Sequence, residues 1–180
     1  MSNIVVDILN KVADARKTDS IEGTVKVMDG KCEVNEQRDG VYGFAIKIDN
    51  VNDIEPLIKE MSNDKSLQRI DDEKKWTPLD PEGKWYPLYW GKDSYLGSRL
   101  SAHTDNKQTK TYTIRLWEKS YLQNYEIVFG GIFCKNKEDV EEELHNRYPD
   151  PLLNKSDYKA EKKKTTALTA SNTTGQEIEL

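Results

Sequence analysis

An α+β domain, a small sheet flanked by helices, is the fold the sequence predicts, and three observations carry that prediction. Tyr42, Phe44, Ile46 and Ile48 alternate onto one face, which is the two-residue period of a strand. Ile4, Val5, Ile8, Leu9 and Val12 recur at three- and four-residue steps, the period of an amphipathic helix. Segments of the two kinds then interleave along 180 residues, a length that suits one compact domain with appended polar segments.

Residues 3–16 form the first helix, with Ser2 or Asn3 available as its cap. Residues 24–28 are a strand candidate, followed by the Asp29-Gly30 turn and a polar stretch. GVYGFAIKID, residues 40–49, is the strand of clear alternation. A helix over 51–62 follows, with Ile54, Leu57, Ile58 and Met61 on one side and Pro56 in its first turn, where proline is tolerated. Residues 63–83 are charged and hold Pro78, Pro81 and Gly83, so they read as loop. KWYPLYWG, residues 84–91, is β-prone, and Pro87 confines it to an edge or a bulge. Residues 93–104 read as a helix, with Leu96 and Leu100 one turn apart. Residues 110–122 fit either a strand or helical steps. YEIVFGGIFC, residues 125–134, reads as a buried strand, and 137–148 as a helix. The polar residues 155–180 read as a flexible tail.

Composition removes several classes of function. No run approaches the ~18 apolar residues a membrane span needs, and the N-terminus lacks a signal-peptide core, so the expectation is a cytoplasmic protein with no membrane partner. Cys32 and Cys134 cannot build a disulfide framework or a four-ligand zinc site, and they read as reduced, buried thiols. With 27 basic and 32 acidic residues the net charge is −5, which is not the signature of a domain basic throughout. A local basic face remains compatible with an acidic whole.

One group of residues is more specific. Gly40-Val41-Tyr42 lies on one predicted strand and Tyr89-Trp90-Gly91-Lys92 on another; then come Leu96, Arg99, Leu100 and His103, and further on Glu141, Leu144, Pro151 and Asn154. In this order and spacing they resemble the GIY-YIG nuclease family, over about residues 40–154. The arginine–x–x–x–histidine pair and a long insertion are more similar to restriction-type members than to repair-type ones. The resemblance implies a small, mainly antiparallel three-stranded sheet, with a helical insertion at about 50–83 between the two motif strands. Residues 1–39 would be an N-terminal helix and extension. Trp90 stands where the family has a small aliphatic residue.

The family's roles transfer position by position. Tyr42 would be the general base that takes a proton from water, and Tyr89, on the neighbouring strand, would position that water or the phosphate. An ordinary phenol, with a pKa of about 10, is a poor base at neutral pH, so Lys92, Arg99 or a metal-bound water would have to lower it. Arg99 and His103 are one helical turn apart and would share a cleft edge, where a guanidinium fork suits phosphate. Outside the motif they would read as a solvated surface pair, and the tyrosines as sheet filling. Lys92 would touch phosphate or the Tyr42 oxygen. Asn154 would be an amide donor to substrate or a turn cap.

The glutamate has a geometric argument as well. Val140 and Leu144 define the buried stripe of the last helix, Glu141 and Glu143 flank it, and Glu142 points away. The family's glutamate-to-leucine spacing selects Glu141 as metal ligand, while its spacing to the proline selects Glu142, kept as reserve. A lone hard oxygen ligand suits Mg²⁺ or Mn²⁺. His145 reads as a surface residue.

Function follows from the resemblance: a divalent-metal-dependent endonuclease hydrolysing DNA phosphodiesters, with RNA as a further substrate to test and a restriction or mobile-element role. The other reading is a module of the same fold that binds nucleic acid or protein and does not cut. Cations for DNA contact would come from Lys59, Lys65, Arg69, Lys74 and Lys75 and from 107–115. Cutting both strands with one site per chain would call for a homodimer.

Overall fold

The computed structural model describes residues 3–14, 19–25, 27, 37–64, 76–104, 113–149, 151 and 153. Helix α1 spans Ile4–Val12. Asn3 caps it, its side-chain oxygen accepting from the Val5 and Val6 amides at 3.0 and 3.3 Å. The Asn3 amide also donates to the Phe129 carbonyl at 3.0 Å, which ties the helix start to the sheet. Strand β1 is Ser20–Val25 and β2 is Gly40–Lys47. A 3₁₀ turn at Val51–Asp53 leads into α2, Ile54–Ser62. Strand β3 is Trp85–Asp93 and α3 is Leu96–Thr104. Two 3₁₀ turns, Leu116–Glu118 and Ser120–Leu122, precede β4, Ile127–Phe133, and α4, Lys137–Arg147.

The class is α+β, and the sheet is antiparallel with four strands in the order β1-β4-β2-β3. The expected sheet had three. The fourth is β1, displaced from the predicted 24–28 and paired with β4 from Ser20↔Ile132 to Val25↔Ile127. As an edge strand it buries little, and SIEGTV carries only two large apolar residues, so its own pattern is weak. The central pair reads clearly because it is covered on both faces.

One face carries Tyr42, Phe44 and Ile46 against Leu57, Met61, Leu96, Leu100, Leu116 and Leu122. The other carries Val41, Ala45, Trp90 and Ile132 against Val5, Ile8, Leu9, Val12, Val140 and Leu144. Helices α1 and α4 therefore cover one side, and α2, α3 and the 3₁₀ turns the other. Each fully buried Leu, Ile or Val contributes about 1.5–3 kcal/mol over an exposed one. Among the described residues no helix is long and apolar enough to cross a membrane.

Both consequences expected of Pro87 occur. Strand β3 is an outer strand, and its register slips between Phe44↔Tyr89 and Ala45↔Pro87, leaving Leu88 as the extra residue of a bulge. The bulge shifts the alternation by one residue. Tyr86, Leu88 and Tyr89 all pack on the Tyr42 face, while Trp90 turns to the α4 face. On the outer edge the Leu153 amide donates to the Leu88 carbonyl at 2.8 Å.

The ambiguous stretch resolves as 3₁₀ turns, with Ile114, Leu116 and Leu122 in the core. Arg115 enters the first turn in the left-handed region, φ 47°, which stops 113–115 from continuing as a strand. Between the turns Lys119 is buried and reaches Asp64 at 2.7 Å, and the Tyr121 hydroxyl donates to the same carboxylate at 2.8 Å. Two side-chain expectations need correction. His145 is buried, because it follows Glu141 by one turn on the inward flank of α4. Cys134 is half-buried, since it lies just past the end of β4.

Candidate active site

The unbroken register Tyr42↔Gly91, Gly43↔Trp90, Phe44↔Tyr89 puts the two motif tyrosines on one face as diagonal neighbours across β2 and β3. Their rings stack with centroids 6.0 Å apart and planes 29° from parallel. Gly91 stands directly across from Tyr42, and the phenol lies over it. From α3, His103 joins the pair, its ring centroid 5.5 Å from Tyr42 and 5.0 Å from Tyr89. The Tyr42 oxygen and His103 Nε2 are 2.7 Å apart, and the Ile114 amide donates to His103 Nδ1 at 3.0 Å.

Arg99 sits one turn earlier on α3, near enough for its charge to act on both phenols. Its Nε is 3.9 Å from the Asp93 carboxylate, and its side chain keeps 18% exposure, enough to meet a ligand. Lys92 and Glu141 form a second group at the same outer strand. Their Nζ–Oε2 distance is 2.9 Å, with side chains 30% and 10% exposed. Tyr89 joins the two groups electrostatically, since the Arg99 charge lowers its pKa and the Glu141 charge raises it.

Burial governs the titrations. Tyr42 is 1% exposed, and desolvation pushes its phenol well above the usual 10; the nearby Tyr89 adds to this and Arg99 only partly opposes it. Burial likewise raises Tyr89. His103 is fully buried, and burial, helped by the Arg99 charge, holds its imidazole well below 6.5. For Arg99 burial works downward, but the two tyrosines and Asp93 outweigh it and keep the guanidinium above its ordinary value.

The structure thus brings Tyr42, Tyr89, Arg99 and His103 into one cluster on the α3 face of the sheet, and pairs Glu141 with Lys92 on the α4 face of the same strand. Glu141 points inward and Glu142 is exposed. His103 does not line a cleft edge and cannot touch phosphate, because residues 113–115 close over it through the Ile114 amide. Lys92 does not reach Tyr42. It follows Gly91 on the strand, so it faces the α4 side, where it pairs with Glu141. Asn154 lies outside the described residues, as do Lys65, Arg69, Lys74 and Lys75, Cys32 and the tail 155–180. Lys59 is exposed on α2, and Arg115 pairs with Glu118 at 3.6 Å.

Three contributors escaped the sequence reading. Asp93 ends β3 and brings a carboxylate within 3.9 Å of Arg99; a carboxylate at the strand-to-helix junction was its signal. Gly43 is the cross-strand partner of Trp90, and a Cβ there would lie 2.3 Å from the indole, so the large residue in the second motif is matched by a missing one in the first. The Ile114 amide had no signal in the sequence. Among the described residues no group of three or more His, Cys, Asp or Glu is arranged to hold a metal ion. No protein-family model, no curated protein and no solved structure matches the chain.

Proposed function

We propose that the chain is a divalent-metal-dependent endonuclease of the GIY-YIG type that hydrolyses DNA phosphodiester bonds. One observation carries this reading: two phenols and a guanidinium from three separate elements gather on one face of an outer strand whose other face holds the Lys92–Glu141 pair, with Arg99 and Lys92 reaching solvent. Arg99 binds the phosphate oxygens, with the Asp93 carboxylate 3.9 Å from its Nε as a nearby counter-charge. As the five-coordinate phosphorus gains negative charge, a fixed guanidinium in a partly desolvated site stabilises it without reorganising. Tyr89 orients the attacking water. Tyr42, held by His103 and Arg99, receives the water's proton once its own has left.

Glu141 offers one hard oxygen ligand, the minimum for Mg²⁺ or Mn²⁺, which take their other ligands from water and phosphate. Lys92 occupies that carboxylate here, but it is the more exposed partner and can swing onto a phosphate when a divalent ion displaces it. When bound, the ion supplies neutralising charge for the leaving oxygen.

The test is incubation of supercoiled plasmid with Mg²⁺ or Mn²⁺. Wild type should nick it, and Arg99→Ala and Glu141→Ala should each cut about a hundredfold or more slower, the cost typical of removing one charge-stabilising group. A wild type that leaves a varied panel of double-stranded DNA, single-stranded DNA and RNA intact with either ion removes the reading.

A second reading, a module that binds nucleic acid without cutting it, is favoured by the burial of Tyr42, which holds its phenol in the protonated form. It predicts retarded DNA or RNA in a gel shift, no cleavage by wild type, and unchanged binding in Glu141→Ala.

A further inference from the structure

His103 is the one member of the cluster whose proton position the geometry fixes. From β2 it faces Tyr42 and Phe44, from β3 Tyr89, from its own helix Arg99, and from the covering segment the Ile114 amide. An amide N–H can only donate, so the 3.0 Å contact from Ile114 leaves Nδ1 as a bare lone pair. A neutral imidazole then carries its hydrogen on Nε2, and Nε2 is 2.7 Å from the Tyr42 oxygen. The hydrogen bond therefore runs from His103 to Tyr42.

We propose that His103 is a positioning residue, a fixed donor to Tyr42 set in one tautomer by the Ile114 amide, and that it never accepts the Tyr42 proton. The tautomer stands on its own; its chemical consequence rests on the nuclease reading of the same site. Were the Tyr42 proton to pass to His103, the imidazolium would carry hydrogens on both nitrogens. Its Nδ1–H would then point into the Ile114 N–H at hydrogen-bond distance, beside the positive charge of Arg99. Two donors face to face in a buried site leave both unsatisfied.

The Tyr42 proton therefore leaves by a route other than His103, and the neighbouring Tyr89, whose ring stacks on that of Tyr42, is partly exposed. The resulting phenolate accepts N–H bonds from His103 and Arg99, which leaves one lone pair for the attacking water. The balance closes: the Tyr42 hydrogen goes to solvent, and one water hydrogen goes to the phenolate. The water oxygen forms the new bond to phosphorus. The bond from phosphorus to the leaving sugar oxygen breaks, and that oxygen keeps the electron pair and takes a proton from solvent.

The chain has two histidines, which makes the test tractable. Imidazole ¹⁵N correlation spectra of the full-length protein, assigned with His145→Gln, should show His103 with hydrogen on Nε2 and none on Nδ1. That pattern should hold from about pH 5 to 8, the range in which an ordinary histidine changes charge. Hydrogen on Nδ1, or protonation of the ring within that range, overturns the proposal. This spectrum needs no cleavage, so a wild type that fails to cut removes the nuclease reading and leaves the tautomer to be decided here.

Where cleavage is observed, His103→Gln, whose amide can still donate, should stay within about tenfold of wild type and keep its pH profile. His103→Leu should lose about a hundredfold or more, as expected for removal of one preorganised donor. Equal loss in both variants, with the acidic limb of the profile gone, would mean that His103 takes the proton.

Discussion

A methyl group on Gly91 would sit 2.6 Å from the Tyr42 hydroxyl and 2.8 Å from the Tyr89 ring, so this position is a seat for the phenols rather than a flexible turn. Gly91→Ala should cost about 1–3 kcal/mol from overpacking, read as a lower denaturation midpoint. In the nuclease reading it should also cut cleavage more than it cuts DNA binding, since Arg99 stays in place. Equal stability to wild type would show that Tyr42 is not held where it appears. A second prediction concerns His103. The folded chain keeps this imidazole neutral below 6.5, whereas the unfolded chain protonates it there. The unfolded state then binds more protons, so stability should fall as pH drops through about 6.5, by up to about 1.4 kcal/mol per pH unit. Urea unfolding of wild type between about pH 5 and 7.5 should slope more steeply than that of His103→Gln, and equal slopes would contradict the burial. Residue identity alone could not reveal either effect. Helical spacing placed Arg99 and His103 on one flank, but it could not say that residues 113–115 cover one and leave the other at the surface.

At the scale of elements, the pairing of β2 with β3 decides which side chains meet. Alternation along β2 was legible because Tyr42, Phe44 and Ile46 are large and face a deep core. The phase of β3 was not, since one extra residue reverses every assignment beyond it and a proline says only that an irregularity is near. The position of Trp90 depends on that phase. It turns away from Tyr42 and fills the space left by Gly43. Gly43→Ala drives a Cβ to 2.3 Å from the indole and should destabilise by about 1–3 kcal/mol or more. In the Gly43→Ala/Trp90→Leu double variant the smaller side chain admits the methyl, so the two losses should not add. Chemical denaturation of the four species in a double-mutant cycle checks this, with a coupling of about 0.5–3 kcal/mol expected for residues in contact. Strict additivity would mean that the strands pair in another register.

For the whole molecule, helices on both faces leave β3 as an outer strand with the phenols and Arg99 on one side and the Lys92–Glu141 pair on the other. Layer order of this kind was partly legible. Strong helical periods marked α1 and α2 as packed helices, whereas β1, polar on its open face, gained its place only by pairing with β4. One such cluster among the described residues limits what a single visit to DNA can achieve. A single site in the nuclease reading attacks one strand, and the complementary strand lies across the helix, out of its reach. The net charge of −5 also gives no long-range attraction to hold the chain on a nicked plasmid while it reorients. At protein concentrations where sedimentation shows a monomer, nicked circles should therefore accumulate before linear plasmid appears. If two copies meet on DNA, the rate of linear product should rise more steeply than in proportion to protein, while nicking rises in proportion. Gel densitometry over a dilution series separates the two orders. Linear plasmid formed directly at the lowest concentration would show that one chain reaches both strands, which the single cluster at β3 does not allow.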